Sequence, residues 1–200
     1  MKSRRKKYSK IVFLLGIILC TLGITFISLK CICNLSINLQ EKEAIKKYYI
    51  PVSNTINNKT KVIKNEKKEI IYIGILRIPK IKLKRGLVEK NNYLNDVKYN
   101  VEILDSSDMP DKENGNVILA AHSGNSKVSY FKNLDKLKID DMVYIDYDNK
   151  TYNYKVVNIY DIEKTGKAKI IRNQNTNTLT LITCKEKTNK QIVIICELII

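Results

Sequence analysis

Histidine is almost missing from this 200-residue chain, and His122 is its one imidazole. Of five cysteines, Cys20, Cys31 and Cys33 lie in or beside an apolar N-terminal run, which leaves only Cys184 and Cys196 beyond it. One histidine and two separated thiols cannot close a four-ligand zinc site, so no metal is expected. Internal repeats and low-complexity segments are absent as well. Acidic side chains are outnumbered, with 20 Asp and Glu against 36 Lys and Arg and a formal net charge of +16. Such an excess is compatible with nucleic acid, anionic lipid headgroups or an anionic wall polymer, and a solvated lysine-rich face is the default.

Charge and apolar character are sharply divided at the start. The first ten residues carry six Lys and Arg, and residues 11–29 are uncharged and apolar. A 19-residue helix rises about 28 Å, near the thickness of a bilayer core. A transmembrane helix over 11–29 is therefore expected. A cleaved signal peptide is the competing reading, but the run exceeds a usual h-region and no small-x-small site follows it. Leu19 before Cys20 makes a poor lipoprotein site. The cationic cluster at 1–10 keeps the N-terminus cytoplasmic, so everything after Leu29 is expected outside the cell membrane. In that setting a wall polymer or lipid is a more natural partner than nucleic acid, which is not expected.

Residues 30–69, rich in Lys, Asn and Glu, read as an extracytoplasmic stalk, partly helical near Glu41 to Lys47. Residues 70–200 suffice for one domain with one core. Short β-branched or aromatic runs fill it: 70–76, 78–83, 97–104, 117–121, 142–147, 152–160, 178–183 and 192–198. Asn, Asp, Gly and Lys clusters separate them, which indicates a sandwich or barrel rather than βαβ units. Asp146 to Lys150 reads as a hairpin turn. One helical patch, Val128 to Leu137, places Phe131, Leu134 and Leu137 on a shared face.

Two reactive side chains stand at strand ends. The apolar strand Val117 to Ala121 delivers His122, where a strand end fixes a general acid or base and leaves its tip accessible. Thr178 to Thr183 delivers Cys184, as Lys185-Glu186-Lys187 begins. Cationic neighbours there favour a thiolate. Alternation puts Thr180, Ile182 and Cys184 on one side and Leu179, Leu181 and Thr183 on the other, and both sides are apolar enough for a strand buried on two faces. Cys196, inside Ile192-Val193-Ile194-Ile195-Cys196, suits an inert core thiol. A structural Cys184 to Cys196 disulfide is the rival reading, since exported domains tolerate such bridges.

With these residues in view, the chain resembles the sortase family, membrane-anchored cysteine transpeptidases of the Gram-positive surface. Thr180-Leu181-Ile182-Thr183-Cys184 is similar to the family's TLxTC strand end. Gly74 to Ile81, Ala120-Ala121-His122, and Phe131 to Leu137 before Asp140-Asp141-Met142-Val143 follow the family's order. The resemblance implies an all-β fold with one or two short helices, an eight-stranded barrel behind an N-terminal transmembrane helix. It implies that Cys184 attacks an LPxTG-like sorting signal to form a thioester. It implies that His122 protonates the leaving amine and then deprotonates the incoming one. Surface proteins would be donors, and a peptidoglycan precursor or a pilin lysine the amine acceptor.

The family's arginine on the strand after the cysteine is missing. The arginines are Arg4, Arg5, Arg77, Arg85 and Arg172, and none follows Cys184. Gln191 falls at that position, with Lys190 one register away on the opposite face. Gln191 is preferred as the oxyanion or substrate donor, because an amide donates without being a readily solvated point charge. Arg172, or no cation, is the alternative. By resemblance, a class A or class D-like enzyme fits best, with no second apolar span, no aspartate-aromatic lid motif, and a 161–177 segment too short for a large helical insertion. No cofactor is expected. Asp105, Asp108, Asp111 and Glu163 are too scattered to assign calcium, which modulates some relatives. The competing function is a catalytically weakened, tethered barrel that binds a wall polymer or surface protein.

Overall fold

The computed structural model describes the backbone of residues 2–50 and 70–199, and the side chains among these except for 2–12 and 30–38. The expected stalk therefore lies outside the described residues from 51 to 69. Two compact units result, Met1–Glu43 and Ala44–Ile200.

The first unit is helical. Helix α1 runs Lys2–Tyr48, across the apolar run and on through the region expected to be only partly helical. Phe13, Leu14, Ile18, Leu22 and Ile24 each expose more than half of their surface, so apolar side chains face outward on several sides of the described stretch. Hydroxyls within it are satisfied locally: Thr21 and Thr25 donate to the carbonyls of Ile18 and Leu22, each at 2.9 Å. Among the described residues no helix is long and apolar enough to cross a membrane. The expected span begins at Ile11, and the side chains of residues 11 and 12 are outside the description.

The second unit is a single eight-stranded sheet rolled into a nearly closed barrel. Its strands are β1 (Gly74–Ile78), β2 (Leu83–Leu87), β3 (Glu102–Ile103), β4 (Asn116–Ala120), β5 (Met142–Tyr147), β6 (Lys150–Glu163), β7 (Thr178–Cys184) and β8 (Lys190–Leu198). They lie in the order β2-β1-β5-β6-β8-β7-β4-β3. Every pairing is antiparallel except β4 with β7. That parallel pair places the C-terminal ends of β4 and β7 side by side. Inside, Leu76, Leu119, Ile145, Tyr154, Leu179, Leu181 and Ile194 are fully buried. The other face of β7 is covered too, by a second cluster of Ile118, Ile182, Val193 and Ile195 with Ile170 from the β6–β7 loop. This is the strand buried on both faces that its apolar sequence requires.

Three expected elements differ. The strand expected over 78–83 is interrupted by a 3₁₀ turn at Pro79–Ile81, followed by Lys82 at φ 55°. Proline donates no ladder hydrogen bond and fixes φ, so β1 ends before it and β2 starts anew. The strand expected over 97–104 shrinks to two residues, because residues 96–100 turn, the Asp96 carbonyl accepting from the N–H groups of Tyr99 and Asn100 at 2.8 and 2.9 Å; the Asn95 amide caps the free edge of Ile103, at 2.7 and 2.9 Å. The helix expected over 128–137 is a chain of tight turns with one 3₁₀ segment, Leu134–Lys136. Its bonds run i to i+3, as from Leu134 N–H to Phe131 C=O. Its buried face is nonetheless Phe131, Leu134 and Leu137.

The hairpin expected at 146–150 joins β5 to β6 through Asp148 and Asn149, with φ of 47° and 58°. Two consecutive left-handed residues make the turn whose twist matches antiparallel strands. The last turn of α1 belongs to this second unit. Ile45 packs with Tyr72, Ile75 and Val88, and the Tyr48 O–H donates to the carbonyl of Asp146 at 3.0 Å.

Candidate active site

Register brings the two expected reactive residues together. In the parallel β4–β7 pair, Ala120 lies opposite Ile182, so His122 and Cys184, two residues on, lie level on neighbouring chain segments. Neighbouring strands run about 4.8 Å apart. The threonines of the motif fix this register. Thr178 and Thr180 both donate to the buried Asn116 Oδ1, at 3.0 and 2.9 Å, tying the start of β7 to the start of β4. Thr183 Oγ1 donates to the carbonyl of Ala121 at 2.6 Å, immediately before His122. The His122 carbonyl in turn accepts from Phe131 N–H at 3.0 Å.

Cys184 is a free, partly exposed thiol, and His122 is exposed. Cys184 lines a cavity of about 390 Å³ together with Thr183, Lys185, Phe131 and Ile192. His122 and Gln191 do not line it. Lys185, expected to favour the thiolate, has its ammonium 2.6 Å from the Asp161 carboxylate and forms an ion pair there. Its charge is therefore largely spent on Asp161.

Gln191 sits directly opposite Cys184 in the antiparallel β7–β8 pair. Opposed residues project from the same face of a sheet, so Gln191 shares the face of Cys184 and Lys190 takes the other. Arg172 belongs to the far end of the parallel pair, where its guanidinium donates to the carbonyl of Asn114 at 3.2 Å. That placement removes Arg172 as the replacement cation. Arg77 is committed elsewhere, with two 2.8 Å bonds to the Asp146 carboxylate.

The Cys184 to Cys196 disulfide is ruled out by register. Cys196 lies opposite Leu179, five positions along the sheet from Cys184 and fully buried. Five strand residues span about 17 Å, whereas bridged cysteines need Cα atoms within about 7 Å. Burial pushes the Cys196 thiol far above the usual range, as suits an inert core residue. Among the described residues no group of three or more His, Cys, Asp and Glu side chains could hold a metal ion.

Residues 76–199 match the family model of the sortase domain. The chain belongs to the sortase family. Its fold is similar to that of sortase A from Corynebacterium diphtheriae, with a TM-score of 0.57 and 21% identity over 64% of this chain and 61% of that one. It is similar to sortase C1 of Streptococcus agalactiae, solved in complex with MTSET, at TM-score 0.55 and 25% identity over 64% of this chain and 69% of that one. Sortase C from Clostridium perfringens matches at TM-score 0.52 and 23% identity, over 63% of this chain and 68% of that one. No curated protein matches the chain. Because sortases of the A and C kinds fit about equally well, the fold does not select a class for this sortase.

Sequence reasoning missed Asn116, the buried amide that ties β7 to β4. The one signal for it was its place at the head of an apolar run, where a buried polar side chain demands a hydrogen bond.

Proposed function

We propose that this sortase is a membrane-anchored cysteine transpeptidase, class A or class D-like, that cleaves an LPxTG-like sorting signal. What supports the reading is the β4–β7 register, in which Ala120 lies opposite Ile182, each two residues before His122 and Cys184, together with the cavity that Cys184 lines. The thiolate of Cys184 adds to the scissile carbonyl, and the C–N bond breaks as His122 gives its proton to the departing amine. The resulting thioester is attacked by a second amine, which loses its proton to His122 as the thiolate leaves. Peptide bond is exchanged for peptide bond, with no cofactor in the balance. Gln191, on the face of Cys184, donates to the developing oxyanion in place of an arginine.

The donors are surface proteins with LPxTG-like signals, and the acceptor is the amine of a peptidoglycan precursor or a pilin lysine. What supports placement at the cell membrane, with the N-terminus cytoplasmic and the barrel outside, is the basic start of α1 followed by its apolar stretch. Cleavage of a fluorogenic LPxTG-like peptide by the purified chain tests the reading. Cys184→Ala and His122→Ala are expected to abolish it, and activity surviving Cys184→Ala overturns it. A second reading, a weakened barrel that binds a wall polymer or surface protein, is favoured by the absent arginine and the Lys185–Asp161 pair. It predicts no cleavage by the wild type and binding that survives Cys184→Ala.

A further inference from the structure

We propose that Arg85 is a positioning residue for His122, acting through Asn100 and Tyr130 across the seam of the barrel. The seam separates the two edge strands, β2 and β3. β3 pairs with β4 through Glu102–Ala120 and Ile103–Leu119, and Asn100 closes the turn that leads into β3, its N–H donating to the Asp96 carbonyl at 2.9 Å. Arg85 reaches across from β2 and its Nε donates to Asn100 Oδ1 at 2.6 Å. The Asn100 amide returns a bond to the carbonyl of Gly86 at 2.9 Å, and Asn100 is only 3% exposed. The turn leading into β3 is thereby pinned to β2.

The same guanidinium lies over the ring of Tyr130, 3.9 Å from its centroid. Tyr130 precedes Phe131, whose N–H donates to the His122 carbonyl at 3.0 Å. One planar group therefore joins the turn before β3, through Asn100, to the end of the loop after His122, through Tyr130. Asn125, Ser126 and Lys127 of that loop are exposed, and at its end the Tyr130 hydroxyl also donates to the Tyr99 carbonyl at 3.4 Å, so Tyr130 is where the loop meets the rest of the barrel. A planar guanidinium stacks on a ring while its rigid fork donates in the same plane, a geometry that the compact, strongly hydrated lysine ammonium does not reproduce.

The activity half of this inference rests on the reading of His122 as proton donor, so its test includes a measurement that does not. His122 is the sole histidine, so its imidazole proton resonances are unique in the full chain, solubilised in detergent and carried on a tag without histidine. Arg85→Ala is expected to shift and broaden those resonances and to speed exchange of the Phe131 amide. Arg85→Lys, which keeps the charge, is expected to fail to restore them. In the peptide-cleavage assay, kcat is expected to fall between about tenfold and about 100-fold with KM unchanged, as a displaced catalytic group would cause. A folded Arg85→Ala whose His122 resonances match the wild type overturns the proposal, as does full restoration by Arg85→Lys. If Arg85→Ala does not fold, Tyr130→Leu keeps the Asn100 link and removes the stacking face, with Tyr130→Phe as the control that removes only the hydroxyl's bond to the Tyr99 carbonyl. Unchanged His122 resonances in Tyr130→Leu overturn the proposal equally. Should the wild type cleave no peptide, the transpeptidase reading fails, while the resonance and exchange measurements still decide the role of Arg85.

Discussion

Asp146→Ala isolates the strongest polar anchor in the barrel. Asp146 is 6% exposed and accepts two bonds from Arg77 at 2.8 Å, one from the Thr151 hydroxyl at 2.8 Å, and one from the Tyr49 hydroxyl. Burial alone would raise its pKa, but the hydrogen bonds from Arg77, Tyr49 and Thr151 outweigh it and hold the carboxyl below the usual range. Removing one partner of a buried pair typically costs about 3–5 kcal/mol. The Arg77 side chain is 33% exposed and can regain water, which places the expected loss near the lower end, about 3 kcal/mol. For a domain of this size that corresponds to a fall in Tm of about 6–12 °C, read by circular dichroism at neutral pH. Replacing both partners, Arg77→Met with Asp146→Leu, is expected to recover at least half of the loss, because neither charge is then stranded. The acid side gives an independent check. With its pKa lowered on folding, Asp146 contributes fully above about pH 4, the unfolded carboxylate value, and the contribution is lost as pH falls through the lower folded value. Asp146→Ala should flatten that acid-side slope. A Tm shift under about 2 °C with the slope intact would refute the reasoning.

Gln191→Ala is expected to lower kcat/KM by about 100-fold or more, the usual effect of deleting an oxyanion donor, and Gln191→Arg to retain or raise activity; equal activity in all three proteins removes Gln191 from the site. Cys196 should resist alkylation in the native chain and react only on unfolding, as peptide mass mapping would report, whereas Cys184 should react readily; native labelling of Cys196 contradicts its burial. Tyr154→Phe should stabilise by about 1 kcal/mol, because the Tyr154 hydroxyl is buried with no hydrogen-bond partner, and a loss of stability in urea unfolding would mean that the hydroxyl is satisfied.

Much of this molecule is local in origin and was therefore legible. The apolar runs at 117–121, 178–183 and 192–198 lie within or overlap β4, β7 and β8, because continuous β-branched sequence has few ways to be buried. The Asp148-Asn149 turn was legible for a similar reason, since these side chains tolerate the left-handed region. The Val128 to Leu137 patch shows the limit. Its buried face followed from spacing, yet the backbone winds as 3₁₀ turns, a difference set by how it packs against the barrel. The short β3 is another case, because the apolar and aromatic residues at 97–101 read as strand while the Asp96 carbonyl winds 96–100 into a turn.

By itself the sequence determined the chemistry on offer: one imidazole, one accessible thiol at a strand end, a glutamine where the family carries an arginine, and a basic, apolar N-terminal segment. It could do so because residue identity and period-two alternation are properties of the chain alone. The tertiary structure decided which of those groups meet. Parallel pairing of β4 with β7 brings the strand ends that lead to His122 and Cys184 side by side, antiparallel pairing with β8 turns Gln191 rather than Lys190 toward the cysteine's face, and the rolling of the sheet carries Arg85 of β2 to Asn100 and Tyr130. Strand pairing and register join residues tens of positions apart. They follow from how the whole sheet buries its two faces, which no local stretch of sequence encodes.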